Sequence, residues 1–234
     1  SKLSVINQST EPLLDLGGIG FFDEDAVFPR SVIKLENEIR MYYFGWHLGL
    51  GKRFYVSIGL AISRDGGKTF KRFSNGPLIG QNIYDPCGVG SPFIFIEDDI
   101  YKMIYGSVTS WTSEEMTTYY LKYTESEDGI SWNNLRHDAI KLKDDESHTA
   151  VISVLKEGDI YKGWYSYVKK GGKYRIGYAE STDLKKWVRK DEEAGISVSE
   201  NPNDFDSEMI CYPYVVTYKG KKYMFYNGNR NGYD

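Results

Sequence analysis

The sequence predicts an all-β protein built from similar four-stranded sheets arranged around an axis, a β-propeller. An aspartate returns at a period of about sixty residues, a tyrosine follows each aspartate by twenty residues, and short apolar runs fill every period. The aspartates are spaced 62, 60 and 61 residues apart, at Asp23, Asp85, Asp145 and Asp206. The matching tyrosines are Tyr43, Tyr105, Tyr165 and Tyr226. Self-similarity at so long a period is typical of radial or stacked repeat architectures.

Each period predicts the same four strands in the same order. A first apolar run such as VFPRSVIKL follows the aspartate and ends at a short polar turn. A second run contains the tyrosine, and a third run such as IGLAIS ends in a turn built on a further aspartate. A weaker fourth strand then leads to the next repeat. Short runs rich in Val, Ile, Tyr, Phe and Thr between Gly, Asp and Asn turns are typical of strands, and four antiparallel strands form a propeller blade.

The repeats divide a single predicted domain into three full four-stranded blades and parts of the flanking blades. We expect the end of a preceding blade at 1–16, blades at 17–80, 81–142 and 143–203, and the start of a further blade at 204–234. An incomplete ring would leave apolar sheet edges open. We therefore expect flanking sequence to complete the propeller.

Composition narrows the classes of function. The net charge of −4 gives no electrostatic footprint for nucleic acid, and no apolar stretch approaches the roughly 20 residues of a membrane span. No secretory leader is visible, and Cys87 and Cys211 fall in different blades, so free thiols and a cytoplasmic location are favoured. No cofactor is expected, although a central Ca²⁺ among channel carboxylates is conceivable. The oligomeric state stays open.

Acidic residues of the first strand in each blade are the candidates for chemistry, because that strand lines the central channel. Residues two apart on a strand share a face, which pairs Asp23 with Asp25 and Asp206 with Glu208. Crowded carboxylates cannot all ionise freely, so at least one should have the raised pKa of a general acid. The expected acidic rim comprises Asp23, Asp25, Asp85, Asp145 or Glu146, Asp206 and Glu208.

A structural role is the alternative for the repeated aspartates. An aspartate that opens a strand often hydrogen-bonds its own backbone, and a repeated one can join neighbouring blades. Three further aspartates are expected to be turn residues only, namely Asp65, Asp128 and Asp183. The segment SRDGGKTF (63–70) matches the Asp-box turn of sialidase-type propellers, which lies far from catalysis in those proteins.

Several phrases resemble the five-bladed propellers of the arabinanase–levansucrase–invertase superfamily, which includes glycoside hydrolase families 32, 43, 68 and 130. They include FDEDAVFPRSVI, YDPCGVGSPFIF, RIGYAESTDLKKW and DFDSEMICYPYVVTYKGKKYMFYNG, and the resemblance covers nearly the whole chain. It is closest to a glycosidase-related branch of that group. It implies a five-bladed propeller, incomplete in this chain, with glycosidase-like chemistry.

The resemblance also implies site residues. Those families place one aspartate on the first blade, another on the second and a glutamate acid on the third. Tyr84-Asp85-Pro86 is similar to the Arg-Asp-Pro motif of the invertase-like branch, with tyrosine in place of arginine. Blade order assigns the acid to Glu146, whereas the local context SEMICYP favours Glu208. The catalytic candidates are Asp23, Asp25, Asp85, Glu146 and Glu208.

Aromatic, histidine and arginine side chains are the substrate-binding candidates, since the first stack on sugar rings and the others hydrogen-bond. For the aromatic residues, a core role is the alternative. The candidates are Arg30, Trp46, His47, Tyr84, His148 and Tyr212.

Three functions fit these residues. The first is a glycosidase-like protein acting on or binding an oligo- or polysaccharide in a central acidic channel. The second is a non-catalytic glycan-binding propeller, and the third is a protein-interaction scaffold. A phosphorolytic variant of the first would need a basic pocket, for which Arg30, Lys52 and Arg53 are the candidates.

Overall fold

The structure is a computed structural model that describes residues 8–49, 51, 53–113, 117–133 and 135–232. These residues contain fourteen strands, which form four successive sheets. Sheet A contains β1 (Ala26–Lys34), β2 (Ile39–Leu48), β3 (Phe54–Ser63) and β4 (Lys71–Arg72). Sheet B contains β5 (Gly88–Glu97), β6 (Ile100–Trp111), β7 (Thr117–Ser126) and β8 (His137–Ile140). Sheet C contains β9 (Glu146–Glu157), β10 (Ile160–Lys169), β11 (Tyr174–Ser181) and β12 (Val188–Arg189). Sheet D contains β13 (Cys211–Tyr218) and β14 (Lys221–Asn227).

Sheets A, B and C each run antiparallel in chain order and end in a short fourth strand, as the repeat predicts. A single parallel pairing, Tyr119 with His148, joins sheets B and C along one hydrogen-bonded path. Short 3-10 turns at Asp191–Glu193 and Asn229–Gly232 are the helical pieces of the described chain. The prediction of an all-β protein is confirmed. The five-blade count and the blade boundaries stay predictions.

Tight hairpins join the first two strands of the sheets at the predicted polar turns. Asp98 and Asp99 connect β5 to β6 with φ of 53° and 59°, and Lys219 and Gly220 connect β13 to β14 with φ of 49° and 73°. Two successive positive φ angles are the signature of a type I′ turn, whose twist matches that of the flanking strands.

The apolar core lies between successive sheets. Tyr42 and Leu60 of sheet A pack with Met103 of sheet B, and equivalent clusters lie between sheets B and C and between C and D. Sheets B and C therefore bury both faces against neighbours. As a result, the first strands β1, β5, β9 and β13 approach one another along one axis.

A β-bulge interrupts each of these four first strands at the same place in the repeat. The register shifts occur beside Arg30, Ser91, Val151 and Tyr212, which are 61, 60 and 61 residues apart. Ser91, Val151 and Tyr212 have positive φ of 51°, 38° and 56°. A bulge redirects a side chain out of the alternating pattern of its strand. Here all four bulged residues line a cavity on the axis.

A buried serine hydroxyl joins the first strands of sheets A and B. Ser31 Oγ donates a hydrogen bond to the Pro92 carbonyl at 3.0 Å and accepts one from the Ile94 N–H at 2.9 Å. Ser153 bonds the carbonyl and N–H of Val215 in the same way between sheets C and D. These hydroxyls satisfy backbone groups of β5 and β13, which are edge strands with one hydrogen-bonded neighbour each.

Replacing Ser31 by alanine is expected to destabilise the fold by about 1–3 kcal/mol, because the Ile94 N–H loses its acceptor in a buried place. Urea unfolding measures the difference. The control is Ser197→Ala at an exposed serine of the loop after β12, which should stay within about 0.5 kcal/mol of the unmodified protein. Equal effects of the two substitutions would refute the bridge.

Candidate functional site

The axial cavity has a volume of about 160 Å³ and is lined from all four sheets. Six of the fourteen lining residues are aromatic, and they lie on β2, near the beginnings of β3, β7 and β11, and on β13. One charged side chain, Arg30, belongs to the lining in the described structure. The charged and aromatic members of the lining are Arg30, Phe44, Trp46, Phe54, Tyr119, Tyr174 and Tyr212.

Ring contacts hold the aromatic wall in two groups. On the sheet A side, Trp46 and Phe54 have ring centroids 4.9 Å apart, and Trp111 packs on Phe54 at 5.0 Å. On the opposite side, the Tyr119 and Tyr174 hydroxyls are hydrogen-bonded at 3.0 Å. Tilted and edge-to-face contacts of this kind fix ring orientation. The wall is therefore a preformed surface with exposed ring edges and faces.

The repeated aspartates of the first two sheets are buried away from this cavity. Asp23 accepts hydrogen bonds from the Tyr43 hydroxyl at 2.9 Å and from Arg72 Nε at 2.8 Å. Asp85 accepts from the Tyr105 hydroxyl at 3.1 Å, and Lys122 Nζ lies 3.1 Å from its other oxygen. Both carboxylates are fully buried. Each joins the start of its sheet to later strands, which is the structural role weighed as the alternative.

In the third repeat, different residues join the start of the sheet to its later strands. Asp145 is exposed and paired with Lys169, and the Tyr165 hydroxyl instead donates to Asp191 at 2.5 Å. Arg189 joins Asp191 to the buried Glu146, with Nη–O distances of 2.6 and 2.7 Å to the two Glu146 oxygens. Glu146 is therefore held as a structural anion.

In the fourth repeat, the Tyr226 hydroxyl donates to Asp206 at 2.7 Å. The predicted spacing of twenty residues between aspartate and tyrosine thus marks a direct hydrogen bond in three of the four repeats. A buried carboxylate raises the pKa of its tyrosine further above the value set by desolvation, as for Tyr43 and Tyr105.

The expected acidic rim does not line the axial cavity. None of the proposed catalytic carboxylates belongs to the described lining, because three of them are buried elsewhere and two are exposed outside the cavity. Among the described residues the charged side chain of this lining is Arg30, and the catalytic roles of the carboxylates stay predictions. The residues concerned are Asp23, Asp25, Asp85, Glu146 and Glu208.

The two exposed carboxylates lie beside cavity-lining residues. Asp25 accepts a hydrogen bond from the Leu48 N–H at 2.8 Å, and its own N–H donates to the carbonyl of Trp46. Glu208 forms an ion pair with Lys173, and the Glu208 carbonyl accepts from Arg175 at 3.0 Å, next to Tyr174. Lys173 lowers the pKa of Glu208. This direction keeps Glu208 ionised at neutral pH, opposite to the raised pKa of a general acid.

The predicted binding residues divide between the cavity and its surroundings. Arg30, Trp46 and Tyr212 line the cavity. His148 lies behind the wall, stacked on Tyr119 with centroids 4.4 Å apart. His47 stacks on Tyr55 at 5.3 Å, and Tyr84 is exposed on a turn where its carbonyl accepts from Lys122. Neither His47 nor Tyr84 belongs to the cavity lining. Lys52 lies outside the described residues, and Arg53 does not line the cavity.

Sequence reasoning missed four wall residues, Phe44, Phe54, Tyr119 and Tyr174. Tyr119 and Tyr174 occupy matching places, two residues before the third runs that begin at Leu121 and Ile176, but they are 55 residues apart because the loops before those runs differ in length. The bulge positions carried a usable signal, since Arg30, Val151 and Tyr212 recur at the period of the aspartates.

The Asp-box turn has the predicted structural role. Asp65 accepts hydrogen bonds from the N–H groups of Lys68 and Thr69, each at 3.0 Å. The Thr69 and Ser63 hydroxyls lower its pKa. Asp128 and Asp183 make the same kind of turn in sheets B and C.

Within the described ranges, no group of three or more His, Cys, Asp or Glu side chains could hold a metal ion. The described residues therefore provide no group of this kind for a central Ca²⁺. Cys87 and Cys211 are free, as expected, and burial raises the pKa of the Cys211 thiol to about 12. Among the same residues, no helix is long and apolar enough to span a bilayer.

No protein-family model matches the chain. It is 30% identical over 232 residues to two Mycobacterium tuberculosis proteins, uncharacterized protein MT1551 of strain CDC 1551 and uncharacterized protein Rv1502 of strain H37Rv. Each match covers 97% of this chain and 75% of the relative. This level of identity over most of both chains places them in one family.

Solved structures of propeller glycosidases are similar in fold. A structure described as a BT0996 complex with RGII is matched with a TM-score of 0.71 at 18% identity, over 92% of this chain and 71% of that one. A thermostable family-43 glycoside hydrolase is matched with a TM-score of 0.61 at 21% identity, over 80% and 60%. At such identities the likeness shows the fold alone, which is the predicted β-propeller.

Replacing Asp85 by alanine is expected to cost about 3–5 kcal/mol of stability, because the buried Lys122 ammonium loses its counter-charge. Asp145→Ala, at the equivalent repeat position but exposed, should stay within about 0.5 kcal/mol. Urea unfolding of both variants tests the assignment. A mild effect at Asp85 would contradict a structural role.

His148 should make stability depend on pH. Burial lowers the pKa of His148 from its ordinary 6.5 to about 4, so the unfolded chain binds a proton more readily between these values. The contribution of neutral, buried His148 to stability is therefore complete above the pKa of the unfolded chain. The free energy of unfolding declines as pH falls, by about 2 kcal/mol between pH 7 and pH 5. Because other groups also titrate, unfolding is compared with His148→Phe at both pH values. The prediction fails if the difference between the proteins is the same at both.

Proposed function

The chain belongs to the same family as the two mycobacterial proteins, and we propose that it is a carbohydrate-active protein of the glycoside hydrolase type. Its ligand is an oligosaccharide bound at the axial cavity. The observation that carries the proposal is the cavity itself, an aromatic-walled hollow with a few polar groups at the meeting point of four sheets. Ligand sites have this composition, in which apolar walls supply contact area and a few polar atoms supply orientation.

Sugars suit such a wall because a pyranose ring has apolar C–H faces as well as hydroxyls. Trp46 and Tyr212 present ring surface to the cavity. The fold shared with propeller glycosidases supports a carbohydrate ligand, as does the similar structure that is described as an RGII complex. No cluster of acidic side chains in the described residues favours a metal ion as the ligand.

We further propose a single domain with five blades. The support is the position of sheets A and D, whose first strands β1 and β13 border the same cavity without hydrogen-bonding to each other. A second opening lies between these sheets, bordered by Phe28 and Pro29 on one side and Asn227 and Asn231 on the other. We assign the remaining blade of the propeller to the space between sheets A and D.

Asp25 and Glu208 are proposed as the carboxylates that act on the glycosidic bond. They are the exposed members of the predicted set, and each adjoins a strand that supplies a wall residue. Hydrolysis needs two carboxyl groups beside the bond, one as an acid and the other as a base or nucleophile. The lowered pKa of Glu208 suits the second role. The buried carboxylates Asp23, Asp85 and Glu146 are proposed to support the site structurally.

Glu208→Gln is expected to reduce the turnover of aryl glycosides or oligosaccharides by about 100-fold or more while leaving glycan binding nearly unchanged, because only the base or nucleophile is lost. The matched control is Glu200→Gln, at an exposed glutamate of the loop before Asp206, which should keep full turnover. Product release measures turnover, and calorimetric titration measures binding. Both use the ligands that bind best on a glycan array.

Two other outcomes would change the proposal. Binding without turnover in the unmodified protein would make it a non-catalytic glycan-binding propeller. Neither binding nor turnover across the array would refute a carbohydrate ligand.

A further inference from the structure

Arg30 is a cation without a counter-ion. It lies in the bulge of β1, and its guanidinium carbon is 5.5 Å from the centroid of the Phe44 ring and 5.3 Å from that of Tyr212. Its Nε is buried without a hydrogen-bond partner. Among the described residues, no carboxylate forms an ion pair with it. Contact with ring faces stabilises the charge partly, but it leaves the N–H donors unused.

Three other cations with little exposure differ in this respect. Arg72 pairs with Asp23, Lys122 with Asp85, and Arg189 with Glu146. The fold supplies a buried carboxylate to each of these three cations. Arg30 has no such partner among the described residues, and burial of an unpaired charge is costly, so an anion from outside the chain would stabilise it.

A second unsatisfied donor belongs to a residue of the same lining. Trp46 Nε1 is buried without a partner, and both Trp46 and Arg30 belong to the lining. An indole N–H and a guanidinium can only donate hydrogen bonds. The polar requirement of the cavity is therefore for acceptor oxygens, beside walls that favour a ring with apolar faces.

We propose that the oligosaccharide is acidic, and that the carboxylate of a uronic-acid residue binds Arg30 in the axial cavity. This inference rests on the proposed function and names its substrate class. The planar guanidinium fork matches a carboxylate in a two-point contact, and the sugar ring that carries the carboxylate packs on Trp46 and Tyr212.

An inorganic phosphate could supply the same oxyanion chemistry. The walls argue against it, since free phosphate has no apolar face to place against aromatic rings. Arg30 is also the sole cation of the lining in the described residues, whereas a phosphate carries more charge than one arginine neutralises. Phosphate is therefore an outcome of the test.

The test uses matched pairs of acidic and neutral oligosaccharides, such as tri-galacturonate with galactotriose and the glucuronate and mannuronate equivalents, together with inorganic phosphate alone. Calorimetric titration of the unmodified protein should show one acidic member binding about tenfold or more tighter than its neutral partner, the effect of one charged hydrogen-bonded contact. The preference should fall as salt is added.

Arg30→Gln should remove the preference for the acid while leaving the affinity for the neutral partner within about threefold. Arg30→Lys, which keeps the charge but loses the fork, should retain part of it. Arg64→Gln is the matched control, because it removes the same charge from an exposed turn. Trp46→Phe, which removes the N–H donor and keeps an aromatic side chain, should weaken the acid selectively, and circular dichroism verifies folding.

Each other outcome overturns the inference in its own way. Equal affinity for acidic and neutral sugars in the unmodified protein refutes the anionic ligand and leaves the proposed function standing. Binding of phosphate alone, lost in Arg30→Gln, refutes the sugar carboxylate as the anion. Binding of no sugar and no phosphate refutes both the inference and the proposed function. A preference for the acid that persists in Arg30→Gln moves the anion site elsewhere.

Discussion

A carboxylate buried at the start of a sheet must be matched by donors and a cation from the same sheet, and this constraint organises the molecule. Asp23 and Asp85 meet it through a tyrosine of the second strand and a basic residue of a later strand. The hydrogen bonds fix where the first strand begins relative to the others. Once that register is set, the bulge follows about seven residues later and directs one side chain towards the axis.

The same constraint explains why the axis is not acidic. Asp23 and Asp85 are buried and paired with residues of their own sheets, and desolvation makes those partners necessary. The third repeat shows that the requirement concerns charge balance and not a particular residue, since Glu146, Asp191 and Arg189 replace the usual aspartate there. With the acids committed, the bulge residues and aromatic strand ends are left to shape the cavity.

Function then depends on the contrast between satisfied and unsatisfied groups. The ion pairs of Asp23, Asp85 and Glu146 are formed with cations of their own sheets. Arg30 and Trp46, which line the cavity, each keep a buried donor without a partner, and Asp25 and Glu208 remain exposed beside it. A propeller can thus keep its repeat and vary its ligand through a few positions outside the repeat's internal hydrogen bonds.

The sequence by itself determined the all-β class, the order of four strands per repeat, the hairpin turns and the Asp-box, because each depends on local periodicity and turn chemistry. It also located the aspartate–tyrosine pairs by their spacing of twenty residues. Only the tertiary structure decided that Asp23 and Asp85 are buried, that Asp191 replaces Asp145 as the partner of Tyr165, and that Phe44, Phe54, Tyr119 and Tyr174 share one cavity. Those outcomes depend on which residues of distant strands meet and on what each burial leaves unpaired, and neither is encoded in the spacing of a single repeat.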